Sequence, residues 1–188
     1  MSNNASNVTQ GKPAVAGAIA YAPIGTALPT DAATKLNDAF KQVGYITEDG
    51  VVNSQSIETS STKAWGGDTV LNSKTSATDT WKFAMMESLN PDALKLYYGE
   101  ENVTGAVDTG MTIKANSLDQ VDHVIVIDYL LKNNVLKRVV IPRAQITAKD
   151  DVTYKDDSAI VYGVTVSAVP DDDGNTHYEY IKKKGETA

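Results

Sequence analysis

The chain has 188 residues, no cysteine and two histidines, and its 17 Lys+Arg against 24 Asp+Glu leave a net charge of −7. That length fits one domain with arms, and the missing cysteines exclude disulfides, iron–sulfur clusters and thiolate zinc sites. The acidic balance argues against a surface that grips nucleic acid, which needs clustered Lys/Arg, and no apolar run nears the ~20 residues of a membrane-spanning helix.

Met1 to Gln10 is polar and uncharged and reads as an arm. Pro13 to Tyr21 follows as an apolar, small-residue run that lacks the flanks of a signal peptide, so a cytosolic origin is expected. Such a run either lies on its own domain or docks on a neighbour, with Val15, Ile19 and Tyr21 as contact candidates; residues 1–24 are taken as the arm. Thr30 and Asp31 offer N-caps for a short helix through Phe40. From Gln42 the pattern turns to β, and Glu48-Asp49-Gly50 is a turn signal.

Ser54 to Gly67 is a polar, Ser/Thr-clustered stretch too long for a tight hairpin, and it predicts a projecting loop held by local side-chain hydrogen bonds. Strand signals return at Thr69–Leu71 and Thr78–Phe83. Asn90 as N-cap, Pro91 in the first turn, Asp92 at the positive end and Gly99 as terminator specify one helix. Phe83 to Leu89 fits either an extension of that helix or a strand end. Alternation at Met111–Ala115, a long run at Val121–Leu131, a turn at Lys132-Asn133-Asn134 and a return at Val135–Ile141 predict more strands, with Pro142 at the edge or end of the last. Ile160, Tyr162, Val164 and Val166 share one face of a further strand. Asp171–Thr176 turns the chain, His177–Ile181 closes it, and residues 182–188 form a tail. The expectation is a mostly β protein, an antiparallel sandwich or barrel over residues 25–181 with one flanking helix.

Chemistry is sparse. No nucleophile elbow, phosphate-binding loop, dinucleotide fingerprint or zinc-protease motif is present. His123 falls mid-strand among apolar residues and reads as a satisfied, partly buried imidazole rather than a general base; His177, beside a turn, reads as exposed. Asp171, Asp173 and Asn175 hint at a calcium loop, but Gly174 stands one place early and no Glu closes it. The sequence therefore reads as a structural or binding protein, not an enzyme, without cofactor or metal.

Several segments, in order, resemble the major tail tube proteins of long-tailed, non-contractile bacteriophages, especially those of Gram-positive hosts. They are Gly25–Asp31; Val43–Ile46 with Glu48–Gly50; Lys63-Ala64-Trp65-Gly66-Gly67-Asp68; Lys137–Ala144; Tyr154–Asp157; and Ser167–Asp171 with Gly174–Thr176. The resemblance implies a β-sandwich subunit assembling, in the host cytoplasm, as hexameric rings stacked into a hollow tube within the virion tail. One sheet per subunit would join its neighbours around the lumen, and a long hairpin loop and terminal arms would bridge rings. The partners implied are other copies of the chain, a tape measure protein in the lumen, tail-tip and terminator proteins, and DNA in transit; no membrane is involved. The alternative is an unrelated β-sandwich binding module of carbohydrate-binding or adhesin type, for which Trp65 and Trp81 make a poor platform.

On this reading Ser56, Ile57, Glu58, Lys63, Trp65 and Asp68 are candidates for contact between rings. Trp65 is either an interface anchor or part of its own domain's core at the loop base. A conduit that must not hold DNA should have an acidic or neutral bore, for which Glu48, Asp49, Asp119, Asp122 and Asp128 are candidates.

Overall fold

Residues 3–14 and 17–184 are described by the structure, a computed structural model; Val15, one of the arm candidates, lies outside them. In chain order come β1 (Lys12–Pro13), β2 (Ile19–Pro23), β3 (Lys41–Gln42), β4 (Val52–Lys63), β5 (Thr69–Met85), α1 (Pro91–Tyr98), β6 (Val103–Ala106), β7 (Gly110–Ile113), β8 (His123–Leu131), β9 (Val135–Lys149), β10 (Tyr162–Ala168) and β11 (Tyr178–Lys183). The fold is mostly β, every strand pair is antiparallel, and α1 is the α-helix among the described residues.

The main sheet runs β3-β2-β8-β9-β10-β5-β4, with β1 added to β8 and β11 to β9; β6 and β7 form a separate small sheet. β9 organises it. One edge pairs with β8, while the other pairs first with β11 (residues 135–140) and then with β10 (residues 144–149). The sheet therefore forks along β9, and Pro142 sits between the branches beside the bulge in the β8 register. Pro142 was expected at an edge or end. It lies inside a 15-residue strand instead, at an irregularity where a residue without an N–H costs no ladder bond.

Alternation in the strands separates two faces. Ile19, Tyr21, Ile125, Ile127, Val139, Ile141, Val164, Val166, Trp81, Phe83 and Met85 point into the main core, which α1 closes with Ala93, Leu94, Leu96 and Tyr97. Ala20, Ala22, Val124, Val126 and Val140 form a second apolar layer on the opposite face, covered by Leu36 and Phe40 from the segment between β2 and β3. Ile19 and Tyr21, on the run expected either to lie on its own domain or to dock on a neighbour, are buried in the subunit's own sheet, and β2 belongs to the body. Likewise, Lys182 and Lys183 are the last residues of β11 rather than a free tail.

The helix follows its signals. The Asn90 side chain accepts from the Asp92 N–H, Pro91 starts the first turn, and Gly99 ends the helix at φ 104°, a conformation that penalises a side chain. The segment left open by the sequence, from Phe83 onward, continues β5 to Met85.

The helix expected from Asp31 to Phe40 does not form; bends and turns occupy it. Asp31 does cap, accepting from the N–H groups of Ala33 and Thr34. However, the Asp31 and Thr34 carbonyls, which a helix would offer to its next turn, accept instead from Arg138 at 3.1 and 2.8 Å. Arg138 also holds Asp128 with two parallel bonds of 2.7 and 2.9 Å. One buried guanidinium thereby staples the covering segment to the sheet.

The predicted loop at Ser54–Gly67 is also corrected. Residues 52–63 are β4, paired along their length with β5, so the polar stretch is one strand of a long hairpin whose turn is Ala64–Asp68.

Candidate assembly surfaces

The hairpin is the most distinctive surface. β10 pairs with β5 only from Thr80 to Met85, whereas β4 follows β5 down to Thr69. Beyond Thr80 the arm is a two-stranded ribbon without a third strand. Eleven residues at ~3.4 Å each give it a reach of about 35 Å. Both of its faces are exposed throughout β4. Bulges at Thr75 and Val70 break the register twice, and bulges bend and twist a ribbon. The tip carries Trp65, fully exposed, with Val70 and Leu71 also open to solvent; Ile57 is exposed midway. Trp65 is therefore not part of its own subunit's core. Ser56, Glu58, Lys63 and Asp68 are exposed on the same arm, with Glu58 accepting from the Ser76 hydroxyl across the ribbon.

Where the arm leaves the body, its base is fixed by a buried carboxylate. Asp79 is 5% exposed and accepts from Asn53 Nδ2 on β4 and from the Thr176 hydroxyl, both at 2.6 Å. His177 Nδ1 is a third partner at 2.6 Å, and its ring packs edge-on against Trp81. A carboxylate can only accept, which puts the imidazole proton on Nδ1. His177 was expected to be exposed and is half-buried; its partners Asp79 and Trp81 lie about a hundred residues away in sequence, so nothing local signalled this.

His123 is buried more completely than expected, 2% exposed and edge-on to Tyr21, and it is not the satisfied imidazole expected, since neither ring nitrogen has a hydrogen-bond partner among the described residues. Burial pushes its pKa below the ordinary 6.5, against the opposing pull of Glu100 and Asp122. The Tyr21 hydroxyl lies 3.0 Å from both the Asp92 carbonyl and Glu100 Oε1, and burial first, then Glu100, pushes its pKa up.

The acids expected to line a bore divide into two groups. Glu48, Asp49 and Asp119 are exposed, whereas Asp122 pairs with Arg143 and Asp128 with Arg138. The two arginines of the chain thus neutralise two of the five candidates. No cluster of three or more His, Cys, Asp or Glu able to hold a metal occurs among the described residues, the Asp171 turn included. Asp171 instead caps its own turn, accepting from the N–H groups of Asp173 and Asn175 and from the Tyr178 hydroxyl.

The fold is a forked antiparallel sheet from which a long two-stranded ribbon projects with exposed apolar side chains. The chain belongs to a family of phage tail tube proteins, whose family profile matches residues 1–188. It is accordingly a structural protein of the phage tail tube. No curated protein matches it.

Proposed function

We propose that the chain assembles into hexameric rings stacked head to tail, and that the resulting tube is the conduit for genome delivery in a long, non-contractile, siphovirus-type tail, with a Gram-positive host. The observation that carries this reading is the arm. An isolated two-stranded ribbon is marginal in water, and this one exposes Ile57, Trp65, Val70 and Leu71. Both deficits are removed if the ribbon lies against an adjacent ring, where Trp65 becomes an anchor and Ser56, Glu58, Lys63 and Asp68 the polar surround. Heterologous contact of this kind closes rings and also extends filaments. Glu48, Asp49 and Asp119 are the free acids that would keep the bore from holding DNA. A tape measure protein in the lumen and tail-tip and terminator proteins at the ends complete the assembly, which takes place in the host cytoplasm before incorporation into the virion.

Gln55 and Asp79 face each other across the ladder, so residues 56–78 can be replaced by an Asn-Gly turn without altering the body. Electron microscopy and sedimentation should show tubes from the intact protein, and a folded subunit that forms rings at most from the shortened one. Tubes of normal length from the shortened protein would place ring stacking elsewhere. An intact protein that stays monomeric at high concentration, with a tail-tip initiator present, would end the reading.

A further inference from the structure

The two ends of β9 differ in charge. At its Val135 end gather the β8–β9 turn with Lys132, the end of β11 with Lys182 and Lys183, and Lys12 on β1; the Lys184 N–H donates to the Asn134 carbonyl at 2.8 Å and fixes this grouping. About 45 Å of strand away, at the Lys149 end, the chain enters Asp150-Asp151-Val152-Thr153-Tyr154-Lys155-Asp156-Asp157.

The basic end also holds a cleft of about 880 Å³, with Trp81, Tyr129, Leu131, Val139 and Ile181 among its lining. Three lysines, Lys132, Lys137 and Lys183, line it against one acid, Glu179, which is spent on Lys137 at 2.7 Å. Trp81 is 4% exposed and forms part of the cleft floor, its indole N–H enclosed and without an acceptor among the described residues.

The acidic loop has matching properties. Asp151, Asp156 and Asp157 are exposed, and Tyr154 is 68% exposed, an aromatic group with nothing to cover it. Its base is rigid: the Asp150 N–H donates to the Gly163 carbonyl at 2.9 Å, the Asp150 carbonyl accepts from the Tyr97 hydroxyl at 3.0 Å, and the Asp150 side chain pairs with Lys82.

We propose that the basic, apolar-lined cleft of one subunit receives the acidic 150–157 loop, led by Tyr154, of a second copy. The two surfaces lie at opposite ends of the subunit, so the contact cannot satisfy itself within one pair and repeats from ring to ring. Aspartate oxygens meet the lysine rim, while the Tyr154 ring fills the apolar part of the cleft. The hairpin arm leaves the sheet towards the same end as the cleft, so both meet the same neighbouring ring. This pairing rests on the stacked-ring reading and specifies which surfaces meet.

Charge reversal tests it. Lys132→Glu with Lys183→Glu should cut tube yield at least tenfold while leaving rings intact, as should Asp156→Lys with Asp157→Lys. All four changes in one chain restore complementarity and should restore tubes. Wild-type tubes should also shorten near 1 M salt, where screening reaches ~3 Å. Because the chain has no cysteine, Lys183→Cys with Asp156→Cys gives a background-free bismaleimide ladder if the surfaces touch. Wild-type-like tubes from both half-reversed proteins, or tubes without a ladder, would overturn the pairing and leave the tube reading standing. No tubes from the wild type would overturn both.

Discussion

The inner and outer halves of β5 are one continuous strand under two physical regimes. From Thr80 to Met85 it is paired with β10, with β4 on its other side up to Lys82 and a bridge from Ile46 at Met85, and Trp81, Phe83 and Met85 alternate into the core. From Thr69 to Thr78 it has β4 alone and buries nothing. The inner half is stabilised by transfer of apolar surface out of water; the outer half has only a ladder of cross-strand pairs, each worth a fraction of a kcal/mol. Folding of the subunit is therefore decided by the inner half. The outer half is free to be shaped by what it touches.

The largest contrast comes from truncating a side chain of the body and, separately, side chains of the arm. Phe83→Ala should cost about 3–5 kcal/mol of subunit stability in denaturant unfolding, because a buried ring leaves a cavity. Ile57→Ala and Trp65→Ala should shift it by less than about 0.5 kcal/mol, since both side chains are exposed. A loss of 2 kcal/mol or more from Trp65→Ala would mean that the arm folds back on the body.

A smaller effect separates the regions by pH. His123 belongs to the body, and its folded pKa lies below the ordinary 6.5. A histidine that resists protonation when folded contributes stability that is complete above about pH 6.5 and lost as the pH falls towards its folded value. The loss has a slope of at most about 1.4 kcal/mol per pH unit. His123→Gln should flatten the acid limb of the stability curve, and an unchanged slope would show that the carboxylates alone set it. The arm should not contribute: replacing residues 56–78 by Asn-Gly should leave that limb where it was.

Sequence patterns revealed structure wherever the cause of structure is local or one-sided. The caps of α1 are short-range hydrogen bonds, from the Asp92 N–H to the Asn90 side chain and from the Gly99 N–H to the Lys95 carbonyl, and β8 and β9 carry long apolar runs joined by a turn in which Asn133 and Asn134 adopt positive φ. The arm escaped notice because alternation is a signature of one buried face, and β4 has none. A Ser/Thr-rich strand exposed on both sides has the composition of a loop. The segment after Asp31 failed for a different reason, since Arg138, over a hundred residues away, competes for the carbonyls a helix needs. The candidate surface divides in the same manner: Trp65 stands out by its chemistry, while Asp79 and His177 fix the base of the arm only because the fold brings them together.

The continuity of β5 also sets how the molecule bears load. Ladder hydrogen bonds lie perpendicular to their strands, so a pull on the hairpin tip along the ribbon strains the β4–β5 and β5–β10 bonds side by side rather than one after another. A joint loaded in shear yields only when many bonds give way together, whereas a peeled one opens like a zip. Because the strand at the tip is the same strand that carries Trp81, Phe83 and Met85, tension applied outside the subunit is delivered straight into its core. The arm works as a tendon, soft to bending at its two bulges and stiff to extension.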